Sequence, residues 1–515
     1  MLNSYWKQFK SGTDIRGVAS SGVENEEINL SNEVISKIAL GFVSWLCKCQ
    51  NKEASDISIS IGHDSRISAN RIKDVLISSI GSVGTNIYDC DLASTPAMFM
   101  SILDLKCDAA IEITASHHPF NRNGLKFFVE SGALDSKDIE EILEYAQNEE
   151  FPKKSSCGKL EQVDYMKSYA KHLRNIICKG VNAENYDKPL QDLKIVVDAG
   201  NGVGGFYARE VLELLGANIS GSQFLEPDGY FPNHIPNPEN KEAIEAIRNA
   251  TLKNKADLGV IFDTDVDRAG AVDSSGVEIS RNTLVAVCAA IALEGNDGGT
   301  IVTDSITSSG VKYFIEEILK GKHHRFKRGY KNVINEARRL NQEGINCPLA
   351  IETSGHAALR ENYFLDDGAY LITKIIIKFV KLKRSGKSLL DIINKLPQPK
   401  DSIEIRLPIL DADFKVRGQE IIDKLSESVA SKDEFKINDD NYEGIRASFN
   451  KGDNTGWFLL RLSVHDPIMP LNVESEKAFG VKEILLELYN ILKAEKGIDI
   501  SKIEEYIKSH DELKA

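Results

Sequence analysis

The stretch DAAIEITASHHP, residues 108–119, decides the fold class of this chain. It begins as an apolar run of strand length, which passes without a break into the polar segment around Ser116. Another apolar strand pattern, residues 57–62, follows a helix-like run at 32–49 and ends in the polar loop 63–66. Strands that alternate with helices and end in polar loops predict an α/β domain whose functional loops lie at the strand ends.

The same pattern of strand and helix recurs further along the chain. A second unit starts with the strand pattern 193–198, continues through a glycine-rich turn at 199–205 and ends at the strand pattern 258–263. A third unit begins near residue 281 and contains the strand pattern 300–304. Each recurrence again indicates an α/β fold.

The segment 396–400 is the best candidate for a linker, because it carries two prolines, which disfavour both helix and central strand. A smaller α+β segment follows. We expect a hairpin of strands 444–449 and 456–461 joined by a turn-rich stretch, then a helix over 477–493 and a charged C-terminal helix. The chain therefore divides into four predicted units.

Length and composition place the chain among globular proteins. Its 515 residues exceed what one hydrophobic core usually supports, and its 42% hydrophobic and 27% charged residues exclude fibrous and disordered classes. The 63 basic and 77 acidic residues give a net charge of −14. This charge argues against nucleic acid as a partner, because phosphate backbones need clustered cations. An anionic metabolite remains compatible, since a few cations can converge locally.

We expect no signal for export or membrane insertion in this chain. The first residues lack the apolar core of a signal peptide, and the longest apolar run, 284–293, is about half of what spans a bilayer. The eight cysteines include no Cys-x-x-Cys pair. We therefore expect reduced thiols in a cytoplasmic protein with no membrane partner.

Three aspartates stand at every second position at the end of a predicted strand: Asp263, Asp265 and Asp267. In extended chain, residues two apart point the same way, so the three carboxylates can converge on one hard cation. A calcium loop of the EF-hand kind is excluded, because Arg268 and Ser274 stand where that loop needs Gly and Glu. The set suits Mg²⁺ with room for a phosphate oxygen; the alternative is an Asp-rich turn with solvated side chains.

Ser116 has two open interpretations when it is taken alone. Pro119 follows closely, so Ser116 could be the N-cap of a helix with proline in its first turn. A serine at a helix start also suits an anionic phosphoserine, since exposed N–H groups and the helix dipole favour negative charge. The absence of a Gly-x-Ser-x-Gly context argues against a serine hydrolase.

Two further segments have polar or glycine-rich patterns. Residues 352–356, ETSGH, combine a carboxylate, a hydroxyl and an imidazole that could bond the hydroxyl groups of a sugar; an ordinary strand-to-helix turn is the alternative. The run 200–205 has the wrong glycine spacing for a dinucleotide-binding fingerprint. We assign that run to turn geometry and helix packing.

Together these segments resemble the α-D-phosphohexomutase family, in its phosphomannomutase/phosphoglucomutase branch. Residues 114–128, TASHHPFNRNGLKFF, are similar to its phosphoserine loop and the lysine-bearing strand after it. Residues 263–268 resemble its magnesium loop, usually Asp-Gly-Asp-x-Asp-Arg, and 352–356 resemble its sugar-recognition loop. The matches run in family order from residue 12 to about 475, over nearly the whole chain.

The resemblance implies three similar mixed α/β domains plus a smaller C-terminal α+β domain around a central cleft. The expected domains are a phosphoserine-bearing domain at 1–180, a metal-binding domain at 181–285, a sugar-recognition domain at 286–396 and a phosphate-binding domain at 400–515.

The implied activity is that of a phosphosugar mutase. Such an enzyme interconverts hexose 1-phosphate and hexose 6-phosphate, of mannose and/or glucose, through a phosphoserine enzyme and a hexose 1,6-bisphosphate. The implied cofactors are Mg²⁺ and hexose 1,6-bisphosphate (glucose or mannose) as activator and intermediate. The expected partners are small-molecule hexose phosphates, and the expected state is a monomer or dimer.

Other reactions on the same scaffold are alternatives: a phosphoglucosamine mutase, a phosphopentose mutase or a hexose-bisphosphate synthase. A simple phosphatase or a catalytically silent sugar-phosphate sensor would be a different class of protein.

The resemblance also implies roles for individual residues. Ser116 is the phosphorylated nucleophile, and its phosphate holds the metal together with three carboxylates: Asp263, Asp265 and Asp267. The residues expected around the reacting phosphate are Arg16, His117, Lys126, Arg268 and His356. Those expected to bind the substrate are Lys331, Glu352, Ser354, His356, Arg461, Ser463 and His465. Lys126 and His356 are the two candidates for the general acid/base.

Two departures from the family pattern stand out. Thr264 replaces the usual glycine of the magnesium loop, which leaves the aspartates in place. The C-terminal phosphate loop, usually Arg-x-Ser-x-Thr-Glu-Pro with an arginine just beyond, reads RLSVHDP at 461–467, and Pro470 stands in the place of that arginine. Arg461 and Ser463 can still grip a phosphate, Arg461 through its bidentate fork.

Overall fold

The computed structural model describes residues 1–463 and 466–512, which form two compact units, each built from two separate stretches of chain. The first unit comprises Met1–Ile291 and Ser354–Ile392, and the second comprises Ala292–Thr353 and the chain from Ile393 onward. Among the described residues, no helix is long and apolar enough to cross a membrane. All eight cysteines are free thiols, as the sequence predicts.

The N-terminal part of the first unit is a mixed sheet with helices. Its helices are α1 Ser4–Lys7, α2 Asn32–Gln50, α3 Ala69–Gly81, α4 Thr95–Leu105, α5 Ser136–Asn148 and α6 Tyr165–Val181. Its strands are β1 Lys10–Ser11, β2 Asp14–Val18, β3 Ser58–His63, β4 Asn86–Leu92, β5 Ala109–Ile113, β6 Arg122–Val129, β7 Gly132–Ala133 and β8 Leu160–Gln162. The sheet order is β1-β2-β6-β5-β3-β4-β8, with β7 beside β6. Because β3 and β5 are parallel neighbours, the loops that follow them meet at one edge of the sheet.

Helix α2 shows why the local pattern predicts these elements well. Ser31 caps the helix by accepting a hydrogen bond from the N–H of Val34, and Asn51 closes it in the left-handed conformation with φ 52°. Its apolar residues recur at helical spacing and are fully buried: Ile35, Ile38, Phe42 and Leu46. The predicted helix at 32–49 is confirmed to within one residue.

The second part of the first unit has a smaller mixed sheet. Its strands are β9 Ile195–Asp198, β10 Leu258–Phe262, β11 Ala269–Asp273 and β12 Glu278–Ile279, in the order β12-β11-β10-β9. Its helices are α7 Lys241–Lys253 and α8 Arg281–Leu293, with a π-helical segment at Tyr207–Glu213. Strand β10 is parallel to β9 and antiparallel to β11, and all five of its residues are buried.

The second unit begins with a parallel sheet. Strand β13 Thr300–Thr303 is parallel to both β14 Lys322–Arg325 and β15 Leu349–Ile351. Its helices are α9 Ser309–Tyr313, continued by a π-helical turn at Phe314–Ile318, and α10 Tyr330–Gln342. The chain then rejoins the first unit, where β16 Ala357–Leu359 and β17 Leu365–Asp366 pair antiparallel and α11 Gly368–Arg384 follows.

The C-terminal part of the second unit is an antiparallel sheet packed on helices. Its strands are β18 Asp401–Pro408, β19 Phe435–Ile437, β20 Ile445–Lys451, β21 Asn454–Leu460 and β22 Ile468–Ser475, in the order β18-β22-β21-β20-β19. Its helices are α12 Phe414–Ala430, α13 Val481–Leu492 and α14 Ser501–Glu512. Alternate strand residues such as Ile405 and Leu407 share one core with the apolar faces of the helices.

The predicted hairpin of this part is confirmed with a shorter turn. The first strand ends at Lys451 and the second begins at Asn454, and these two residues are paired across the hairpin. Gly452, at φ 63°, begins the tight connection between them. The predicted helix 477–493 begins only at Val481, with Gly480 as its N-cap residue.

Two local predictions are wrong. Ser116 is not at the start of a helix: the chain after it makes turns and enters strand β6 at Arg122, and Ser116 itself has φ 50°. The aspartates do not lie in extended chain, because residues 263–267 form a tight turn in which Val266 has φ 67°. In both places contacts with distant segments outweigh the local preference.

Candidate active site

Ser116 lies where loops from two sheets of the first unit meet. It follows β5, whereas Asp263 follows β10. The Ser116 hydroxyl donates to Asp263 Oδ2 at 3.1 Å and accepts a hydrogen bond from Arg268 Nη2 at 2.9 Å. Ser116 is only 5% exposed. A phosphoryl group on this oxygen would have a guanidinium beside it, which is the strongest kind of hydrogen-bond donor for such an anion.

The three predicted metal ligands converge at a buried turn. Asp263 and Asp265 are fully buried, and Asp267 is 2% exposed. Ligand atoms of the three carboxylates lie within 4.8 Å of one another. Asp265 Oδ1 and Asp267 Oδ1 are buried and have no hydrogen-bond partner among the described residues. Because such oxygens are costly to bury without a cation, the set fits a hard divalent ion such as Mg²⁺.

Lys126, on strand β6, is a cation that contacts this turn. Its ammonium lies 2.8 Å from Asp265 Oδ2 and 2.5 Å from Asp267 Oδ2. Burial alone would raise the pKa of Asp267, but the charges of Lys126, His356 and Arg268 outweigh it and lower that pKa. Asp267 is therefore ionised at neutral pH.

His356 joins the same cluster through another carboxylate. Its Nδ1 lies 2.5 Å from Asp366 Oδ2 and 3.9 Å from Asp267 Oδ1. Burial opposes protonation, but Asp366 and Asp267 outweigh it and raise the pKa of His356 to about 9. Asp267, His356 and Asp366 also lie close enough to hold a metal. His356 Nδ1 is already held by Asp366, whereas Asp265 Oδ1 and Asp267 Oδ1 have no hydrogen-bond partner among the described residues, so the three aspartates fit a hard cation better.

His117 and His118 lie among arginines. Arg268 Nη2 is 2.7 Å from His117 Nδ1, and Ser116 Oγ is 3.3 Å from the same nitrogen. Desolvation by the surrounding loops, followed by the charge of Arg268, lowers the pKa of His117, although the residue is partly exposed to solvent. Desolvation and the charge of Arg16 likewise lower the pKa of His118 to about 3. The surroundings of Ser116 thus hold fixed cations and neutral imidazoles, which suits an anionic ligand.

Glycines allow close packing around the aspartate turn. A Cβ at Gly202 would lie 2.5 Å from the carbonyl oxygen of Thr264, and the N–H of Val203 donates to that oxygen at 2.9 Å. Gly355, at φ 99°, lies against the backbone of Ala269. The glycine run 200–205 therefore serves turn geometry and packing, as predicted.

Three residues that the sequence pattern did not single out belong to this site. Thr95 Oγ1 lies 2.5 Å from Asp265 Oδ2, and Asp366 contacts His356. Arg66 donates to carbonyl groups of the loop that carries Ser116. A signal for Arg66 was present in the sequence, because the polar loop 63–66 follows a predicted strand just as the serine loop does.

The second unit holds most of the residues expected to bind the sugar. Glu352 follows β15, and its Oε1 accepts a hydrogen bond from the N–H of Gly329, the residue before α10, at 2.6 Å. Lys331 is in the first turn of α10. The structure therefore brings Glu352 and Lys331 to the same helix end. Ser354 lies in the first unit, in the loop that leads to β16.

Arg461 and Ser463 lie just beyond β21 in the second unit. The N–H of Arg461 donates to the carbonyl of Pro470 at 3.2 Å, and that of Ser463 donates to the carbonyl of Ile468 at 3.0 Å. Burial lowers the pKa of Arg461 below its usual range. The two side chains thus belong to one loop held against β22. His465, the other residue predicted there, lies outside the described residues.

Three domain profiles of one family match the chain in order. They are phosphoglucomutase/phosphomannomutase alpha/beta/alpha domain I at residues 8–153, domain II at 167–276 and domain III at 280–399. A phosphoglucomutase/phosphomannomutase from Thermococcus kodakarensis is 30% identical over 467 residues, which cover 90% of this chain and 95% of that protein. The chain belongs to the phosphoglucomutase/phosphomannomutase family.

Other relatives agree with this assignment. A phosphomannomutase/phosphoglucomutase from Pseudomonas putida is 28% identical over 437 residues, 84% of this chain and 87% of the relative. The crystal structure of a phosphoglucomutase/phosphomannomutase family protein from Burkholderia thailandensis has the same fold, with a TM-score of 0.78, 24% identity and coverage of 96% and 98% of the two chains. The predicted fold class is confirmed, and the chain is a phosphosugar mutase, hence a phosphotransferase enzyme.

Proposed function

We propose that this member of the phosphoglucomutase/phosphomannomutase family interconverts hexose 1-phosphate and hexose 6-phosphate of glucose and/or mannose. Ser116 gives its phosphoryl group to the free hydroxyl of the hexose phosphate, and the resulting hexose 1,6-bisphosphate returns its other phosphate to Ser116. One O–P bond breaks as another forms at each transfer, so no water is consumed. The names of the relatives from Thermococcus and Pseudomonas support the choice of sugars.

The observation that carries the proposal is the position of the Ser116 hydroxyl between Arg268 and Asp263. The hydroxyl is nearly buried, contacts a guanidinium, and adjoins a turn with three carboxylates. Gathering three buried carboxylates is unfavourable for stability unless cations bind them. In phosphoryl transfer, the carboxylates would hold the metal ion and the arginine would bind the phosphoryl group on the serine.

The metal would be held by Asp263, Asp265, Asp267 and an oxygen of phosphorylated Ser116. Mg²⁺ bound there would neutralise negative charge on the phosphoryl group. Arg268 would bind the same group through the Nη2 atom that now donates to Ser116 Oγ. Hexose 1,6-bisphosphate is the activator in this scheme, because it phosphorylates an enzyme that has lost its phosphate.

Lys126 and His356 are the two candidates for moving the proton of the reacting sugar hydroxyl. Each lies in a network of carboxylates, Lys126 against Asp265 and Asp267, and His356 against Asp366. The pH dependence of the rate separates the two candidates. Replacement of the true acid/base removes one limb of the pH–rate profile, whereas replacement of the other leaves both limbs in place.

The substrate's remaining groups would be bound by residues away from the reacting phosphate. Glu352, Lys331 and Ser354 are proposed to bind the sugar hydroxyl groups. Arg461 and Ser463, with His465, are proposed to hold the phosphate that is not reacting. The hydrogen bond from the N–H of Gly329 to Glu352 Oε1 holds Glu352 beside Lys331 at the start of α10, which supports assigning these two residues to one subsite.

The intact mass of the purified protein before and after incubation with glucose 1,6-bisphosphate tests the proposal. We expect a gain of one phosphoryl group, located at Ser116 by peptide mapping. Ser116→Ala should show no gain and no turnover, whereas the exposed control Ser55→Ala should behave like the wild type. Full activity of Ser116→Ala would refute the role of Ser116.

A panel of the 1-phosphates of glucose, mannose, glucosamine and ribose tests the choice of substrate. We expect the highest kcat/KM with glucose or mannose 1-phosphate, and isomerised sugar without stoichiometric inorganic phosphate. Preference for glucosamine or ribose 1-phosphate would favour the other mutases of this scaffold, and release of phosphate would indicate a phosphatase. Light scattering of the same sample tests the predicted monomer or dimer.

A further inference from the structure

Arg66 lies behind the loop that carries Ser116. It is 2% exposed, and its Nε donates to Asp64 Oδ2 at 3.1 Å. Its Nη1 and Nη2 atoms donate to four backbone carbonyl groups of the loop after β5: those of Ser116, His118, Pro119 and Arg122. The distances are 2.7 Å to His118, 2.7 Å to Pro119 and 3.0 Å to Arg122. All five N–H donors of the guanidinium therefore have acceptors.

The amide side of Ser116 is held by the neighbouring residue of the same loop. The N–H of Ser116 donates to Thr114 Oγ1 at 2.8 Å, and that hydroxyl donates to Asp64 Oδ2 at 2.7 Å. Asp64 in turn accepts the Nε–H of Arg66. The carbonyl group of Ser116 is thus bonded directly to Arg66, and its N–H is linked to Asp64 through the Thr114 hydroxyl.

The conformation of Ser116 explains why such a clamp is needed. Ser116 has φ 50°, in the left-handed region that residues with a Cβ rarely adopt. In this conformation Ser116 Oγ reaches both Arg268 and Asp263. We infer that Arg66 is a positioning residue, which holds Ser116 in the left-handed conformation that brings its hydroxyl to Arg268. The inference rests on the proposed role of Ser116 as the phosphoryl carrier.

A segment from the second part of the first unit packs over Arg66. The guanidinium carbon lies 5.2 Å from the ring centroid of Phe231, within cation–π range. A Cβ at Gly229 would lie 2.4 Å from the backbone nitrogen of Ile67 and 2.5 Å from the carbonyl oxygen of Ser65. The arginine is therefore enclosed, and only a planar guanidinium with five N–H donors can form hydrogen bonds with all the acceptors around it. A lysine has three donors and cannot reach all the acceptors.

Steady-state kinetics of Arg66→Lys test the inference. We expect kcat to fall by about 100-fold, the loss typical of reacting groups misplaced by about 1 Å, while KM stays within threefold of wild type. The rate of phosphorylation of Ser116 by glucose 1,6-bisphosphate should fall by a similar factor. Arg174→Lys is the matched control, because Arg174 donates to the carbonyl of Glu210 but does not contact the serine loop; it should keep wild-type kcat.

Thr114→Val provides a second route if Arg66→Lys does not fold. This substitution removes the hydroxyl that accepts a hydrogen bond from Ser116 N–H and donates one to Asp64, and it leaves Arg66 unchanged. We therefore expect kcat to fall while KM stays the same. Wild-type kcat in a folded Arg66→Lys enzyme, or a rise in KM alone, would overturn the inference. These outcomes are distinct from failure of the proposed function, which would appear as absence of turnover and of Ser116 phosphate in the wild-type protein.

Discussion

Arg268 donates a hydrogen bond from Nη2 to the hydroxyl oxygen of Ser116 at 2.9 Å. The Nε of the same guanidinium donates to Asp263 Oδ2 at 3.0 Å, so one rigid group joins the serine to the first carboxylate of the metal turn. A lysine at this position could bond one of these partners but not both in this geometry.

We expect Arg268→Lys to lower kcat by about 100-fold, because a donor aimed at the transferring group is lost. Steady-state kinetics with glucose 1-phosphate measure the effect. Arg248→Lys, on the surface of α7, is the control and should keep wild-type kcat. A rise in KM with kcat unchanged would show that Arg268 contributes to binding of the substrate in its ground state instead.

Removal of divalent cations should stop the transfer between sugar and Ser116. Asp265 Oδ1 and Asp267 Oδ1 have no hydrogen-bond partner among the described residues and are open to a divalent cation, which would neutralise negative charge on the transferring phosphoryl group. Turnover in excess chelator should fall to background and return on addition of Mg²⁺. Mass spectrometry should find the phosphate still on Ser116 after chelation. Unchanged turnover in chelator would contradict the assignment of the three aspartates.

Gly202→Ala should weaken metal binding through the backbone. The new Cβ would lie 2.5 Å from the carbonyl oxygen of Thr264 and 2.7 Å from its Cα, so the aspartate turn must shift. We expect the Mg²⁺ concentration at half-maximal rate to rise by about tenfold or more, as for loss of a supporting contact. Gly81→Ala, whose Cβ would make ordinary contacts of 3.4 Å and more, is the control. Equal metal dependence of both variants would contradict this prediction.

His234 and Asp198 form a buried pair whose contribution to stability depends on pH. His234 Nε2 lies 3.1 Å from both carboxylate oxygens. Burial opposes protonation of His234, but the hydrogen bond and charge of Asp198 outweigh it and raise its pKa. Because the folded-state pKa is raised, the stabilisation is complete below the unfolded value of about 6.5 and is lost as the pH rises through the folded-state pKa.

We therefore expect His234→Gln to lower the free energy of unfolding by about 1–2 kcal/mol at pH 6 and by less at pH 9. Urea unfolding at the two pH values measures this difference. His172→Gln is the control, because burial lowers the pKa of His172 and its replacement should not destabilise more at pH 6. An equal loss at both pH values for His234→Gln would exclude a charged pair.

Arg446 should be required for the stability of the second unit. It is fully buried, its guanidinium carbon lies 3.4 Å from the Trp457 ring centroid, and it donates to the carbonyl groups of Ser305 and Thr307 at 2.9 and 3.3 Å. Arg446→Met leaves these carbonyls without that donor, so we expect a loss of about 3 kcal/mol in urea unfolding. Arg406→Met, with a side chain 67% exposed, should change stability by less than about 0.5 kcal/mol.

The fold was largely predictable because its signals are local. Helix α2 carries its own cap and apolar face, and the hairpin β20–β21 carries its own turn residues. The three aspartates predicted as metal ligands do converge, yet the reason given for their convergence was wrong. They converge through a turn with Val266 at positive φ, which packing of Gly202 against Thr264 supports. An extended strand would also have brought Asp263, Asp265 and Asp267 to one side, but with a different backbone geometry.

The sequence by itself indicated the alternation of strands and helices in each main segment, the candidates Ser116 and the three aspartates, and the family that these motifs resemble. Each of these depends on residues close together in the chain, where spacing and backbone preference act directly. Only the tertiary structure decided the left-handed conformation of Ser116 and the participation of Arg66. Ser116 meets Arg66 across 50 residues of chain and Arg268 across 152, and contacts of that kind arise from packing between sheets and loops, which no local pattern encodes.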